Sequence, residues 1–425
     1  MRILMVVNDF PALSETFVLD QITGLIDRGF DVDILASKAR EESTVHPDVD
    51  VYGLLDRVRY VDDRVKPAGS RLVRWSRTLF ELIRRGQLGL LVEVVKAGLD
   101  RALKRPLLVG ARQLVAYART LETLPTPDLV LCHFGPTGEL MVRLRKAFNA
   151  RWPVATFFHG YDLSVLLDQK GFGIYNQLLQ DGDFFFPVSS FLHERLVTMG
   201  AAANRTAVQR MGVRPQTAWP QTKRDLARVG NEFSFVSVGR LVEKKGLEFA
   251  IRAIAHCRQM NPEIRMNLCI VGDGPLLEKF RDIIVDLKLE EIVLLYGSGP
   301  REEVRARLLA ANAFVLPSVT TETGDIEGIP VAISEAMAMG LPVISTYHSG
   351  IPEIIEHGVN GLLVPERNVH ALADAMCRIA RDRSLAYRLG QAGREKVERD
   401  LNLDRWNDVL TERIRVLAGS LKAAE

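Results

Sequence analysis

Cysteine is scarce in this chain, with four among 425 residues, and no two of them form a C-x-x-C pair. Zinc-binding and disulfide frameworks are therefore disfavoured, and a reducing compartment is favoured. Long hydrophobic runs are missing too, since no stretch reaches the roughly 18 apolar residues of a transmembrane helix. The N-terminal MRILMVVNDF becomes polar too early for a signal peptide and predicts a first strand. These absences predict a cytoplasmic protein.

Net charge is small, at +2 from 55 Lys and Arg against 53 Asp and Glu, so no nucleic-acid partner is expected. The cations are nevertheless unevenly placed. Residues 64–119 contain 13 Lys or Arg and 3 Asp or Glu, mixed with apolar residues at helical spacing. One interpretation is a peripheral membrane surface that rests on anionic lipid headgroups. The other is a pair of helices with solvated basic faces, and composition alone favours neither.

Short apolar runs alternate with helical stretches in two consecutive series. Continuous runs of this kind are typical of the buried strands of a parallel sheet. Between the first two runs, SETFVLDQITGLIDRG predicts a helix with Ser14 as its N-cap. The helices of the second series are expected near 246–260, 275–289, 301–311 and 330–339. The runs are RILMVVND, DVDILAS, PDLVLCHFG, WPVATFFHG and DFFFPVS, then EFSFVSVGR, RMNLCIVGDG, IVLLYGSG, AFVLPS, PVISTY and NGLLV.

The two series predict an α/β protein with two Rossmann-like, doubly wound domains. Residues 211–231, which are polar and hold two prolines, are the best linker. We therefore expect domains at 1–211 and 212–395, and a helical segment, 396–425, that packs back on the first domain. Ligands of open α/β sheets bind beyond the carboxyl ends of the strands, so a ligand is expected in the cleft between facing domains.

The stretch EGIPVAISEAMAMGLPVIS, residues 327–345, is apolar apart from two carboxylates and two serines. Pro330 suits the first position of a helix over 330–339. Such a helix start leaves backbone N–H groups without intrahelical partners, and these groups bind phosphate. The amides expected to do so belong to Gly328, Ile329, Val331 and Ala332.

A lone buried acid is unstable unless something bonds to it, so Glu335 needs a protein partner or a ligand. Glu335 would lie about 7.5 Å along the helix from Pro330, which is roughly the distance from a pyrophosphate to the ribose of a nucleotide. Its carboxylate could then accept hydrogen bonds from the ribose hydroxyls. Glu327 would lie on the other side of the phosphates, near a sugar. The alternatives are that Glu335 bonds to internal groups and that Glu327 is a solvated loop acid.

Cations and glycines follow two other predicted strands. In SVGRLVEKKG, Arg240, Lys244 and Lys245 lie at a strand-to-helix turn, where fixed cations could stabilise the charge that develops on a leaving diphosphate. The alternative for any one of these cations is that its side chain is simply solvated. In VGDGP, Gly272 and Gly274 predict a tight turn that lines the nucleotide side. The rest of a G-x-G-x-x-G fingerprint is missing, which weakens a nicotinamide dehydrogenase hypothesis.

Two histidines and two D-x-D pairs complete the candidates. His133 and His159 each follow an apolar strand of the first series, although a lone histidine is more often structural. The pair Asp31 and Asp33 lies in a predicted strand, and DVD at 48–50 in a predicted loop. Neither Asp pair is accompanied by a third residue that would complete a set of metal ligands, so both pairs are interpreted as structural and no metal site is expected.

Together, Glu327 and Glu335 in an E-x7-E pattern, GRLVEKKG, VGDGP, EAMAMGLPVIS and SGIPEII followed by GVNGLLV resemble the retaining GT-B glycosyltransferases of family 4 over residues 231–380. FPALSETFVLDQI and HGYD in the first half resemble their bacterial exopolysaccharide branch, the colanic-acid and amylovoran enzymes. One departure is that NDFPALSETF stands where many relatives have a Gly-Gly turn, so acceptor contacts do not carry over there.

The resemblance implies a nucleotide sugar, with UDP or GDP, held mainly by the second domain, and no further cofactor. Arg240 and Lys245 would contact the diphosphate and Glu335 the ribose. Glu327 would hold donor-sugar hydroxyls, and His159 would line the reaction centre. The sequence identifies no carboxylate nucleophile for double displacement, so front-face displacement is implied.

The leading hypothesis is a metal-independent, retaining glycosyltransferase that acts on a polyprenyl-linked oligosaccharide at the inner face of the plasma membrane. A nucleotide-sugar epimerase or hydrolase of the same fold is the enzymatic alternative. A non-catalytic nucleotide-sugar-binding scaffold is the third hypothesis, which the presence of both acids and both cations disfavours.

Overall fold

The computed structural model describes residues 1–12, 15–39, 45–61, 71–104, 107–214 and 232–422, with side chains for all of these except 71–77 and 420–422. The predicted N-cap Ser14, most of the predicted linker and part of the basic segment lie outside the described residues. The chain divides into two compact units. The first comprises Met1–Val188, Leu192–Gln209 and Asn407–Glu425, and the second Ser189–Phe191 and Arg210–Trp406.

The first unit contains a six-stranded sheet in which every pairing is parallel. Its order is β3-β2-β1-β4-β5-β6, the usual order of a Rossmann-like sheet. Every residue of β4 and β5 is buried, which explains why these strands are continuous apolar runs. The strands are β1 (Arg2–Asp9), β2 (Asp31–Lys38), β3 (Val58–Tyr60), β4 (Leu129–His133), β5 (Val154–Phe158) and β6 (Phe184–Pro187).

The helices of this unit connect and cover the strands. Three of them, rather than the predicted pair, lie within the basic segment 64–119. In chain order the helices are α1 (Thr16–Asp27), α2 (Pro47–Val51), α3 (Leu54–Arg57), α4 (Arg71–Arg84), α5 (Leu88–Ala102), α6 (Ala111–Leu121), α7 (Gly135–Ala147), α8 (Val165–Lys170), α9 (Asn176–Asp181) and α10 (Ser190–Thr198).

The second unit repeats the same topology. Its sheet has the order β12-β11-β10-β7-β8-β9 with parallel pairings, which is the order of the first sheet read from the other edge. In both sheets the strand order reverses between the first and fourth strands of the unit, and ligands bind at such switch points. The strands are β7 (Glu232–Val238), β8 (Arg265–Val271), β9 (Val293–Gly297), β10 (Ala313–Val315), β11 (Val343–Thr346) and β12 (Leu362–Val364).

The last helices of the chain show why the boundary expected at 395/396 is wrong. One helix runs unbroken through that position, and the residues that return to the first unit begin at Asn407. The helices are α11 (Leu247–Met260), α12 (Leu277–Asp286), α13 (Arg301–Ala310), α14 (Val331–Ala338), α15 (Val369–Arg381), α16 (Arg383–Asp400) and α17 (Leu403–Lys422). Among the described residues, no helix combines the length and apolarity needed to cross a bilayer.

Two short elements differ from expectation. β3 has only three residues, two of them exposed, so it leaves no apolar run to detect. DVD at 48–50 lies in α2 rather than in a loop, because Pro47 begins a helix that the His46 side chain caps by accepting from the N–H of Asp48. In β2, Asp31 forms ion pairs with Arg2 and Arg57, which supports the structural interpretation of the first pair.

Candidate functional site

At the switch point of the second unit, two predicted site residues form an ion pair. Lys245 lies in a 3₁₀ turn between β7 and α11, and its Nζ is 3.1 Å from Oε1 of Glu327 on the loop that follows β10. The neighbouring Lys244 pairs with Asp325 at 3.2 Å. The two loops are also joined through their backbones, since the N–H of Val319 donates to the carbonyl of Lys244. The topology thus brings Lys245 and Glu327 together beyond adjacent strands.

Glu327 is buried, at 8% exposure, and is not the solvated loop acid of the alternative interpretation. Burial acts to raise the pKa of its carboxyl, but the charges of Lys245 and Lys244 outweigh burial and hold that pKa below its ordinary value. Glu327 is therefore a carboxylate at neutral pH. A buried carboxylate beside an ammonium group can accept from sugar hydroxyls while the ammonium group faces an anion.

A histidine that the sequence did not single out fixes the Glu327 loop. Nε2 of His348 accepts from the backbone N–H of Glu327 at 3.0 Å, so this nitrogen carries no proton. The proton must then be on Nδ1, which donates to Oε1 of Glu366 at 2.6 Å. Glu366 also accepts from the backbone N–H of Thr320 on the same loop. His348 and Glu366 together hold the loop that presents Glu327.

The start of α14 differs slightly from the prediction. Pro330 is its N-cap, with ψ 117°, and the helix runs from Val331 to Ala338 rather than over 330–339. Gly340 follows in the left-handed region, as a helix end of this type requires. Among the described residues, no acceptor receives the amides of Gly328, Ile329, Val331 and Ala332.

The two remaining predicted ligand groups of this unit are accessible. Glu335 is half-buried and interacts with other groups of the protein, so it is not the lone buried acid that the sequence pattern presented. Arg240 follows β7, and its exposed side chain forms no ion pair within the described part of the chain. Its guanidinium group is thus available to an anion without losing a protein partner.

Gly272 and Gly274 bring two loops close together. A Cβ on Gly272 would lie 2.0 Å from the carbonyl oxygen of Gly239, and one on Gly274 would lie 2.7 Å from that of Leu241. A hydrogen bond from the N–H of Leu241 to the carbonyl of Asp273, at 2.9 Å, also joins the two loops. The glycines therefore allow the loops after β7 and β8 to pack directly, and side chains would push the Arg240 loop away.

In the first unit, the two predicted histidines contact one another. Nδ1 of His133, the last residue of β4, is 3.0 Å from Nε2 of His159, which follows β5. Burial lowers the pKa of His133 to about 3. Burial, followed by the neighbouring His133, also holds the pKa of His159 well below its ordinary value. Both rings are neutral at physiological pH, so one ring nitrogen donates and the other accepts in this hydrogen bond.

Asp162, the last residue of the HGYD motif, positions this histidine pair. Its Oδ1 accepts from the backbone N–H groups of His159 and Gly160, both at 3.0 Å, and its Oδ2 from that of Gly135 at 3.2 Å. Burial raises the pKa of this carboxyl to about 6 against the opposing effect of those amides. The rings of Phe17 and Phe134 pack on His159, with centroids at 4.7 and 4.8 Å.

A recess open to solvent lies at the carboxyl end of β1 in the first unit. Its lining is mostly apolar, with a few groups that could accept or donate hydrogen bonds. Such a composition is typical of small-molecule sites. The polar lining groups are Asp9, Glu15, Thr16 and His46, and the apolar ones include Phe10, Pro11, Val18, Leu19, Val45 and Val49.

Family models match nearly the whole chain: Glycosyl transferase 4-like domain over residues 14–212 and Glycosyl transferases group 1 over residues 220–396. WcaL of Escherichia coli K12, whose name assigns it to colanic acid biosynthesis as a glycosyltransferase, is 36% identical over 96% of this chain and 98% of its own. The amylovoran biosynthesis glycosyltransferase AmsK of Erwinia amylovora is 34% identical over 95% and 96%. The crystal structure of Anabaena HepE with UDP and glucose superposes with a TM-score of 0.72 at 19% identity, covering 98% of this chain and all of that one.

Proposed function

Since the chain belongs to the GT-B glycosyltransferases of family 4, in the branch of exopolysaccharide biosynthesis, we propose that it transfers a sugar from a nucleoside diphosphate sugar to a lipid-linked oligosaccharide with retention of configuration. One observation supports the donor site most strongly. The ion pair of Lys245 with the buried Glu327 lies at the same switch point as the unbonded amides at the start of α14. That combination offers a cation and N–H donors to phosphate, and a carboxylate to hydroxyls.

Each group of the second unit then has a defined role. The amides of Gly328, Ile329, Val331 and Ala332 bind the diphosphate, Arg240 and Lys245 balance its charge, and Gly272 and Gly274 line the nucleotide. Glu335 accepts from the ribose hydroxyls, and Glu327 from hydroxyls of the donor sugar. His348 and Glu366 keep the Glu327 loop in place without touching the substrate. His159 is assigned to the reaction centre by the family resemblance alone.

The proposed reaction breaks the bond between the anomeric carbon and the phosphate oxygen while the acceptor oxygen approaches from the same face. The acceptor proton passes to an oxygen of the departing phosphate, so no carboxylate nucleophile is needed. Charge accumulates on the leaving diphosphate as that bond breaks, and Arg240, Lys245 and the helix amides stabilise it. Because Lys245 is held by Glu327 and the amides are held by the start of α14, we propose that the reaction is metal-independent.

For the donor we propose a UDP-sugar ahead of a GDP-sugar, since HepE, which shares the fold, has been crystallised with UDP and glucose. For the acceptor we propose a polyprenyl-linked oligosaccharide at the cytoplasmic face of the membrane, since WcaL and AmsK are both named for polysaccharide biosynthesis. The recess at the end of β1 is the proposed place for an acceptor group, since it combines an apolar lining with acids that can orient a hydroxyl.

A panel of UDP- and GDP-sugars, screened by thermal shift, identifies the donor, because a ligand at 100 times its Kd adds about 2.7 kcal/mol of stability. The selected donor is then incubated with a polyprenyl diphosphate oligosaccharide in EDTA, and NMR of the product gives the anomeric configuration. We expect an elongated lipid with the donor's configuration and an undiminished rate. Complete loss that added metal reverses would contradict the metal-independent step, and an inverted product would contradict retention.

The same donor without acceptor is the control. We expect the sugar nucleotide to remain intact for the duration of the assay. Rapid release of a free or epimerised sugar would instead support a hydrolase or epimerase. Tight donor binding with no transfer to any lipid-linked acceptor would support a scaffold.

A further inference from the structure

Two histidines that are 114 residues apart in the chain meet on the surface of the second unit. His256 lies near the end of α11, and His370 is the second residue of α15. Nε2 of His256 is 2.9 Å from Nδ1 of His370, and the ring planes are 76° apart with their centroids at 4.6 Å. His370 is exposed and His256 is partly exposed, so solvent reaches this surface histidine pair.

Buried contacts between α11 and α15 hold the surface histidine pair in place. Sγ of Cys257, the residue after His256, donates to the backbone carbonyl of Ala373 at 3.3 Å. Nδ2 of Asn261 donates to Sγ of Cys377 at 2.9 Å and to the backbone carbonyl of Cys257 at 3.1 Å. All four residues that make these contacts are buried. The core therefore fixes the two helices relative to one another, and the two imidazoles stay opposite each other.

The distance between the two nitrogens fits two ligands of one metal ion. Imidazole nitrogens bind such ions at about 2.0–2.1 Å, so two of them at right angles are about 2.9 Å apart. In a tetrahedral site the same two nitrogens would be about 3.3 Å apart. Right angles between ligands are typical of Cu²⁺ and Ni²⁺, whereas Zn²⁺ prefers the tetrahedron. Because the helices already hold the nitrogens 2.9 Å apart, binding requires only that the rings rotate until both lone pairs point to the ion.

The surroundings of the pair favour a cation. Asp374 lies at the i+4 position from His370, which adjoins it on the surface of α15, and it is exposed. On α11, Arg252 precedes His256 by one turn, but its charge is offset by Glu248 at 3.1 Å. Among the described residues, no group of three or more His, Cys, Asp or Glu could hold a metal ion. The protein would thus supply two ligands and water the others, so the affinity should be below that of a structural site with four protein ligands.

We propose that the surface histidine pair binds a divalent transition-metal ion, with Cu²⁺ and Ni²⁺ preferred to Zn²⁺, and that the bound ion links α11 to α15. Imidazole suits all three ions, and Cu²⁺ binds nitrogen ligands most tightly of the series. A hydrogen bond between the two rings accounts for the same contact without a metal, and the experiment below separates the two. The inference goes beyond the proposed function, since no group of the donor site takes part and the proposed transfer stays metal-independent.

Calorimetric titration of the full chain, with any affinity tag removed, tests the site with the metal salt alone. CuCl₂, NiCl₂ and ZnCl₂ are added in separate titrations, in a buffer that does not bind them. The test variants are His256→Gln and His370→Gln, each of which removes one imidazole. The control variant is His193→Gln, which removes a partly exposed histidine on α10 of the first unit. Thermal melting in EDTA establishes that each variant is folded before the titration.

We expect one equivalent of Cu²⁺ or Ni²⁺ to bind to the unaltered chain more tightly than Zn²⁺ does. Each test variant should lose at least about tenfold in affinity, since losing even an outer partner of a ligand costs that much, and the control should stay within about twofold. Electron paramagnetic resonance of the Cu²⁺ form should show two imidazole nitrogens, and one in each test variant. Acidifying the buffer should release the ion, because imidazole must be deprotonated to bind.

Equal affinities in the test and control variants would overturn the proposal, as would the absence of stoichiometric binding in the unaltered chain. Tighter binding of Zn²⁺ than of Cu²⁺ would contradict the right-angled geometry and the order of preference. None of these measurements uses a sugar donor or an acceptor, so failure of this inference is distinguishable from failure of the proposed function.

Discussion

The two switch points of the molecule have the same strand topology and opposite electrostatics. In the second unit, the buried Glu327 is held ionised by lysines, and its pKa lies below the ordinary value. In the first unit, burial prevails: the pKa of His133 falls to about 3 and that of Asp162 rises to about 6. Burial disfavours charge in both places, and only a paired opposite charge reverses that effect. The same fold can therefore supply a charged site for an anionic donor and a site with neutral histidines packed on aromatic rings, depending on which side chains follow the strands.

The largest effect should come from removing the cation of the second site. Lys245→Ala should lower kcat by roughly 10²–10³, the scale for losing one group that stabilises a transition state. Steady-state kinetics with the identified donor measure it. The control is Lys279→Ala, which removes a half-exposed lysine that pairs with Glu248 on the surface. A folded Lys245→Ala enzyme with a near-normal rate would remove this lysine from the proposed role.

Glu327→Gln tests whether the second site needs a charge or only an acceptor. The amide keeps the size of the side chain but loses a hydrogen bond of about 1.5–3 kcal/mol, so the rate should fall about 10- to 100-fold. Because the pKa of Glu327 is lowered, its carboxylate should persist down to pH values below the ordinary glutamate range. The acid limb of the pH–rate profile should therefore lie below the ordinary glutamate range in the unaltered enzyme, and it should be missing in Glu327→Gln. An unchanged limb in Glu327→Gln would assign it to another group, and Glu290→Gln on the exposed surface is the matched control.

The pH dependence of the stability of His133→Gln tests whether the fold keeps His133 neutral. A histidine whose folded pKa is lowered stabilises the fold at high pH, and this contribution is lost as pH falls from about 6.5 towards 3. Asp162 acts in the opposite direction, since its raised pKa makes the fold more stable as pH falls below about 6. Between pH 6.5 and 5, the unaltered chain should therefore lose about 2 kcal/mol more than His133→Gln.

Native-state hydrogen exchange of β4 and β5, corrected for the intrinsic rate, measures this difference within the first unit. His357→Gln in the second unit is the control, because its loss should leave exchange in those strands unchanged. Parallel pH dependences for His133→Gln and the unaltered chain would show that His133 is not held neutral by the fold.

The smallest expected effect concerns the support of Glu327. His348→Phe fills the ring's space but cannot accept from the N–H of Glu327, which should lower kcat/KM about tenfold through a looser loop. His348→Gln, whose Oε1 reaches about the position of Nε2, should recover part of that loss. Glu366→Gln should act in the same direction and more weakly, since its single amide oxygen can accept from His348 or from the N–H of Thr320 but not from both as the carboxylate does. Equal rates for the phenylalanine and glutamine variants of His348 would contradict a positioning role through this hydrogen bond.

Much of the fold was predictable because strands of a buried parallel sheet are local apolar runs. β1, for example, matches the predicted RILMVVND residue for residue. β3 escaped detection because it is short and mostly exposed, and the position of Pro330 was one residue off because its ψ, not its residue type, makes it the N-cap. The change of unit lies between Trp406 and Asn407, inside α17 and not at the expected 395/396, since a change of unit need not interrupt a helix.

The candidate site residues could be named from the sequence, but their contacts with one another could not. The sequence by itself determined two strand-and-helix series, the amide-rich start of α14 and the candidate acids and cations, because each depends on residues close together in the chain. Only the tertiary structure decided that Lys245 holds the charge of Glu327, that His348 and Glu366 support it, and that His133 and His159 form a hydrogen bond. The physical reason is that charge stabilisation and pKa depend on distance and burial, and packing of the sheet, not chain neighbourhood, sets both.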